Sequence, residues 1–390
     1  MYEDLKQKFE KQYGSQPDFI ASAPGRTELS GNHTDHQHGL VIAGAVNRET
    51  LAAVKANHTM EVHLLSEGYE PFTVDLNDLS IHEEQFGTPM SLIRGVAKRM
   101  SELGTSIQGF DAYVISEVLS GSGLSSSAAF EVLIGVIFNH LTGAKLEASE
   151  IAKIGQYAEN VYFGKPCGLM DQMASAVGNM IAIDFKDSDQ VMITPLDFDF
   201  DQSGYALCII DSGASHEDLT DEYAAITREL KDVCKVFDKN VLREIPEDEF
   251  YERIKEVREV AGDRGVLRAV HIYNENERVI KQIKALQEND FDTFLKYVKE
   301  SGQSSWCLLQ NVIPTGNTSH QDVAFALSLA EKTLNGKGAC RVHGGGFAGT
   351  IQAFVPKEDV DSFKKEMERV LGEGKCHVMK IRHEGGVIKE

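Results

Sequence analysis

"GSGLSSSAAFEVLIGVIFNHL" (residues 121–141) joins a glycine-serine turn to a long apolar run. The stretch just before it, "GFDAYVISEV" (109–118), alternates apolar and polar residues as a half-buried strand does. From residue 125 onward the apolar density and length predict a buried helix. A strand, a glycine-serine turn and a helix start in that order aim the turn's backbone N–H groups and the positive helix end at one spot. That is an anion site, most naturally for a phosphate. Gly121 and Gly123 allow positive φ and close approach of a ligand. Ser125, Ser126 and Ser127 offer hydroxyls to phosphate or Mg²⁺. The turn is neither a P-loop, which needs a lysine, nor a dinucleotide fingerprint, which needs glycine where Ser126 stands. Read alone, it is also explained as a serine-capped helix.

Three further stretches bear on chemistry. "VHGGGFAGT" (342–350) lies between two predicted strands, and its glycines, Gly345 and Gly346 among them, suggest a backbone that something approaches closely. In "GQYAENVYFGKPCGLMDQMASAVG" (155–178), Asp171 follows a Pro-Cys-Gly turn in apolar helical surroundings, and Glu159 interrupts a helix-forming run. A partly desolvated carboxylate needs a partner. In "APGRTELSG" (23–31), Arg26 follows a Pro-Gly turn and could neutralise phosphate or hold a carboxylate. Directly after it comes "GNHTDHQHG" (31–39), whose His33, Asp35, His36 and His38 are each plausible metal ligands. The order H-x-D-H-x-H differs from the H-x-H-x-D-H of metallo-β-lactamase-type hydrolases, and no second His/Asp cluster is evident.

The chain has 390 residues, enough for two domains, with 42% apolar and 25% charged residues, as in ordinary globular proteins. A formal net charge of -21 argues against nucleic acid as a partner. Six scattered cysteines form neither a zinc ribbon nor a disulfide scaffold. The N-terminus lacks the apolar region of a secretory signal and no run approaches a membrane span, so a cytoplasmic protein with no membrane partner is expected. Further strands are predicted at "NMIAIDF", "YALCIID", "ACRV", "TIQAFVP" and "CHVMKI", with a mostly helical segment from His216 to about Glu331. The fold class is α+β, and the expected domains are 1–200 and 201–390.

Together "APGRTELSGNHTDHQHG", "GSGLSSSAAFEV", "AENVYFGKPCGLMDQ" and "RVHGGGFAGT", in this order, resemble the signature blocks of the galactokinase branch of the GHMP small-molecule kinases. The resemblance runs over nearly the whole chain. It implies a two-domain GHMP kinase fold, an N-terminal ribosomal protein S5 domain 2-like domain and a C-terminal ferredoxin-like domain. Sugar and ATP would lie in the cleft between them, as the small-molecule partners of a monomer or weak homodimer. The implied reaction moves the γ-phosphoryl of ATP to the anomeric hydroxyl of galactose. Position by position, Arg26 and Asp171 match the catalytic pair, and Ser127 and Glu159 match positions associated with Mg²⁺. Gly121, Ser122, Gly123, Leu124, Ser125, Ser126 and Ser127 match the phosphate-cradling motif, and Gly345 and Gly346 belong to the third motif beside the cleft. His33, Asp35, the backbone at Gly168 and Tyr223 match sugar-contacting positions, and Asn32 stands where the family carries a sugar-reading glutamate.

The departures are local. The family usually reads G-E-H-T-D-Y-N where this chain has "GNHTDHQ", with Asn32 for glutamate, His36 for tyrosine and Gln37 for asparagine. Glu28 replaces the usual asparagine, and Gly302 a common histidine. Asn32 removes a negative charge, which makes a sister kinase of galacturonate, arabinose or an N-acetylhexosamine the alternative to galactose. A sugar sensor without catalysis is a further alternative, against which the serines 125–127, Arg26 and Asp171 argue.

Overall fold

The computed structural model describes residues 2–118, 123–187, 190–214 and 219–389. Two sheets organise it. The first contains β1 (Phe19–Ser30), β2 (Leu40–Ala56), β3 (Glu61–Ser66), β4 (Phe72–Asp75), β5 (Phe110–Ser116), β6 (Met180–Asp184) and β7 (Met192–Pro195). The second contains β8 (Tyr205–Asp211), β9 (Ala339–Val342), β10 (Thr350–Pro356) and β11 (Cys376–Met379). The last strand, β12 (Val387–Lys389), returns to the first sheet and pairs antiparallel with β1.

The first sheet runs β12-β1-β2-β5-β3-β4, and β2 is long enough, at 17 residues, to serve two neighbours. Its leading half pairs with β6 and its trailing half with β5. The helices Pro89–Glu102, Ser126–Thr142, Ala148–Tyr157 and Met170–Val177 pack on one face and close a core that includes Val96, Ile134, Phe138 and Met173. The helix Ser126–Thr142 is apolar nearly all round, as a helix buried on several sides must be, and Gly143 ends it in the left-handed region at φ 66°.

The second sheet has the order β11-β8-β10-β9, all antiparallel. With helices between β8 and β9 and the helix Val360–Leu371 between β10 and β11, this is the ferredoxin-like arrangement. The chain crosses from one sheet to the other between β7 and β8. Because β12 returns to β1, the N-terminal sheet also contains residues from the far end of the chain.

An apolar seam joins the two sheets. Leu29, Ile42 and Val46 from the first meet Leu207, Ile209 and Phe354 from the second, with Phe291 and Phe294 of the helix Phe291–Ser304 stacked alongside. Leu29, the penultimate residue of β1, places this seam beside the end of that strand. Among the described residues, no helix is long and apolar enough to cross a membrane.

Candidate active site

The site grows from the irregular half of β1. Register shifts between Pro24 and Arg26 and between Glu28 and Ser30 break its ladder with β2. Such bulges twist a strand locally and re-aim its side chains. Arg26, only 9% exposed, donates from Nε and Nη2 to Asp171 Oδ1 and Oδ2 at 2.6 and 2.7 Å, a bidentate pair. Its Nη1 donates to the Gly123 carbonyl at 2.5 Å. Asp171 sits in the first turn of the helix Met170–Val177, where the helix dipole favours a negative charge, and 26% of its side chain remains exposed. Burial works to raise the Asp171 pKa. The Arg26 charge and its hydrogen bonds, with the Ser125 hydroxyl, outweigh it and hold the carboxyl below its usual range.

Beside this pair starts the helix Ser126–Thr142. Its N-cap, Ser125, lies at φ 58° and ψ 74° and makes no side-chain capping bond, so the helix's first N–H groups lack the usual serine cap. A non-glycine residue in the left-handed region is uncommon and tends to mark functional backbone. Ser127 Oγ donates to Glu159 Oε1 at 2.9 Å, and Glu159 Oε2 accepts from Gln172 Nε2 at 2.7 Å. Gln172 Nε2 also donates to Glu131 Oε2 at 2.9 Å. Lys165 Nζ lies 3.3 Å from Glu159 Oε1. Burial, then the Glu159 charge, push Glu131 well above the usual carboxylate pKa. Glu159 lies in a single π-helical stretch, Ala158–Phe163, a local widening that turns its carboxylate toward Ser127.

The histidine-rich loop closes the site from the other side. A short 3-10 turn, Asp35–Gln37, follows His33, which adopts φ 62°. Burial and then the neighbouring His36 lower the His33 pKa to about 4, so its ring is neutral at physiological pH. Nε2–H donates to the Gly345 carbonyl at 2.9 Å, which leaves Nδ1 as an acceptor. Among the described residues no group of three or more His, Cys, Asp or Glu side chains could hold a metal ion by itself. Asp35 abuts Gly168, where a Cβ would collide with Asp35 Oδ2. Gly168→Ala should therefore displace Asp35 and lower kcat/KM for the sugar by up to about a hundredfold while KM for ATP holds. Steady-state kinetics with each substrate varied in turn checks this.

Asn32 behaves differently from its neighbours. Its side chain is fully buried. Nδ2 donates to Gly344 O at 2.7 Å and to Glu28 Oε1 at 3.2 Å, while Oδ1 accepts from Asn311 Nδ2 at 2.9 Å and Ser305 Oγ at 3.2 Å. The expectation that Asn32 reads the sugar does not fit this geometry, because an amide has two N–H donors and two lone pairs and all four are in use. Tyr223 donates its hydroxyl to Gly346 O at 2.7 Å and packs edge-on to Phe347, so it lies against the glycine loop. Gly121 and Ser122 lie outside the described residues.

Residues 7–56 match the galactokinase galactose-binding signature and residues 91–179 the GHMP kinases N terminal domain. Over 369 residues the chain is 31% identical to a galactokinase of Glaesserella parasuis, covering 92% of this chain and 90% of that relative. The chain belongs to the galactokinase family. A galactokinase of Haemophilus influenzae is 30% identical over 375 residues, 93% of this chain and 92% of the relative. The crystal structure of Lactococcus lactis galactokinase complexed with galactose superposes with a TM-score of 0.83 at 25% identity, covering 99% of both chains. A mevalonate kinase shares the fold alone, at a TM-score of 0.65 and 15% identity over 94% of this chain and all of that one. As a galactokinase-family member the chain is an ATP-dependent sugar kinase.

The fold thus gathers Arg26, Asp171, Gly123, Ser125, Ser127 and Glu159 at one end of the helix Ser126–Thr142, with His33, Asp35, Gly168, Gly345, Gly346 and Tyr223 across from them. Sequence reading missed Glu131, Gln172 and Lys165 around Glu159. A lone acid in the apolar run "AAFEVLIG" was the available signal for Glu131, because such a side chain must find a polar partner.

Proposed function

We propose that this chain phosphorylates galactose at its anomeric hydroxyl, with ATP as donor, giving the 1-phosphate and ADP. The observation that supports it best is the bidentate Arg26–Asp171 pair beside a helix start that its N-cap residue, Ser125, does not cap. In this reading Asp171 accepts the hydroxyl proton, or assists its loss, as the sugar oxygen bonds to the γ-phosphorus. The bond from that phosphorus to the bridging oxygen breaks and ADP leaves. Arg26 keeps Asp171 ionised and offsets negative charge on the transferring phosphoryl. The N–H groups at the start of the helix Ser126–Thr142 and the backbone of Gly123 and Leu124 cradle the phosphates. His33 Nδ1 and Asp35 accept hydrogen bonds from sugar hydroxyls, and the enzyme works in the cytoplasm.

A hydroxyl and a carboxylate 2.9 Å apart, beside a buried Glu131 Oε1 that has no hydrogen-bond partner among the described residues, are suitable oxygen donors for a small divalent cation. Ser127 and Glu159 would hold Mg²⁺, whose charge would neutralise the nucleotide's phosphates. Ser127→Ala should raise the Mg²⁺ concentration for half-maximal rate by on the order of tenfold or more, the low end of the affinity loss caused by removing a group that shapes a metal site. A Mg²⁺ titration at fixed ATP measures it.

The galacturonate alternative weakens on this geometry. The carboxylate absent at residue 32 stands at Glu28, so a uronic acid would bring a like charge near Glu28 and Asp35. The substrate is tested with a panel of hexoses, pentoses and uronic acids: galactose should have the highest kcat/KM, and a clearly higher value for another sugar would displace it.

A further inference from the structure

Glu28 is an acid of this site that the reaction above leaves without a task. It lies on β1 two residues after Arg26, next to the bulge at Leu29, and is 4% exposed. Its Oε1 accepts from Arg341 Nη2 at 2.9 Å and from Asn32 Nδ2 at 3.2 Å. Among the described residues Oε2 accepts from no protein group, and it is not one of the buried polar atoms sealed off without a partner. A carboxylate oxygen left open in this way can accept from a ligand.

The surroundings say which ligand. Glu28 alternates with Arg26 on the same face of β1 and bonds Asn32, the residue before His33, so it lies between the catalytic pair and the histidine loop. The side chain is held in one orientation. Arg341, fully buried, grips both its carboxylate and its backbone carbonyl at 2.9 Å. Asn32 bonds the same Oε1 and is anchored in turn by Gly344, Ser305 and Asn311. A fixed carboxylate with one open oxygen is suited to accept from a neutral hydroxyl, and it would repel an anionic substituent.

We propose that Glu28 is a specificity-determining residue of this enzyme: Oε2 accepts a hydrogen bond from one hydroxyl of the bound sugar, and Asn32 is its positioning residue and does not touch the sugar. The proposal rests on the sugar-kinase reading above. A hydrogen bond to a charged acceptor corresponds to about a ten- to hundredfold effect.

The test uses the full-length wild type, Glu28→Gln and Glu28→Asp, each with ATP and Mg²⁺, on galactose and on its 2-, 3-, 4- and 6-deoxy analogues. Glu28→Gln should raise KM for galactose about ten- to hundredfold with a much smaller change in kcat. For one deoxy sugar the wild type should already show that loss, and the substitution should add nothing. Glu28→Asp keeps a charge facing Arg341 and should show the same selectivity for one hydroxyl, so poor folding of the glutamine variant does not remove the test. Equal losses on every sugar in both variants would make Glu28 purely structural and overturn the proposal, as would an unchanged KM. A wild type that phosphorylates no sugar of the set would overturn the kinase reading and this proposal with it.

Discussion

Replacing Asp171 with asparagine should reduce phosphoryl transfer by about a thousandfold, within the range a positioned acid–base group contributes, while sugar binding is retained. The substitution keeps the side chain's size and removes its charge. An amide cannot accept the anomeric proton, and its NH₂ would face one of the two Arg26 nitrogens that donate to Asp171 at 2.6 and 2.7 Å. Arg26 would lose its counter-charge, so part of its stabilisation of the phosphoryl should change as well. Turnover of Asp171→Asn measured beside calorimetric sugar binding separates the two effects. A variant that retains wild-type kcat would remove Asp171 from the chemistry.

Glu275→Leu should be the most destabilising single change near the site, by about 3–5 kcal/mol. Glu275 lies on the helix Ile254–Gln287, fully buried, and its Oε2 pairs with Arg278 Nε at 2.7 Å. Its Oε1 accepts from Ser301 Oγ at 2.7 Å and from the backbone N–H groups of Gly31 and Asn32 at 3.3 and 3.2 Å. One carboxylate therefore anchors the start of the histidine-rich loop to the C-terminal half of the chain. Removing it strands the Arg278 charge and frees two backbone donors. Urea unfolding gives the difference directly.

The pH dependence has a fixed sign. Burial works to raise the Glu275 pKa, but Arg278 and then other nearby charges, Arg341 among them, lower it from 4.5 to about 2. A carboxylate depressed in the folded state stabilises above its unfolded value, and that stability is lost as pH falls through the folded value. The stability gap between wild type and Glu275→Leu should be full near pH 5 and shrink between about pH 4.5 and 2.

Periodicity made much of the fold legible. The alternation in "GFDAYVISEV" became β5, the apolar run after it became the helix Ser126–Thr142, and "YALCIID", "ACRV", "TIQAFVP" and "CHVMKI" became the four strands of the second sheet. The return of β12 to β1 was not legible, because three residues carry no pattern and the pairing is fixed by tertiary contact. At the site, Arg26 and Asp171 could be named singly, but their bidentate pairing is a contact across 145 positions that no local spacing encodes.

Asn32 escapes a reading of the sequence for the same reason. Along the chain it appears as the loss of a charge, and only the structure shows its hydrogen bond to Glu28. Gly302 joins them: its backbone packs against Arg341, where a Cβ would lie 3.1 Å from the arginine's own Cβ. Three departures that looked independent along the chain are linked through Arg341: Glu28 bonds its guanidinium, Asn32 bonds Glu28, and Gly302 packs against its Cβ.

Everything proposed for this molecule depends on Arg26, Asp171 and the helix start at Ser125 to Ser127 forming a working sugar-1-kinase site. Phosphorus NMR of the products formed by the purified chain from galactose, ATP and Mg²⁺ reads this out without an auxiliary assay. Galactose 1-phosphate and ADP should appear in equal amounts. ADP with inorganic phosphate alone, or ATP left intact, would show that these residues do not form such a site.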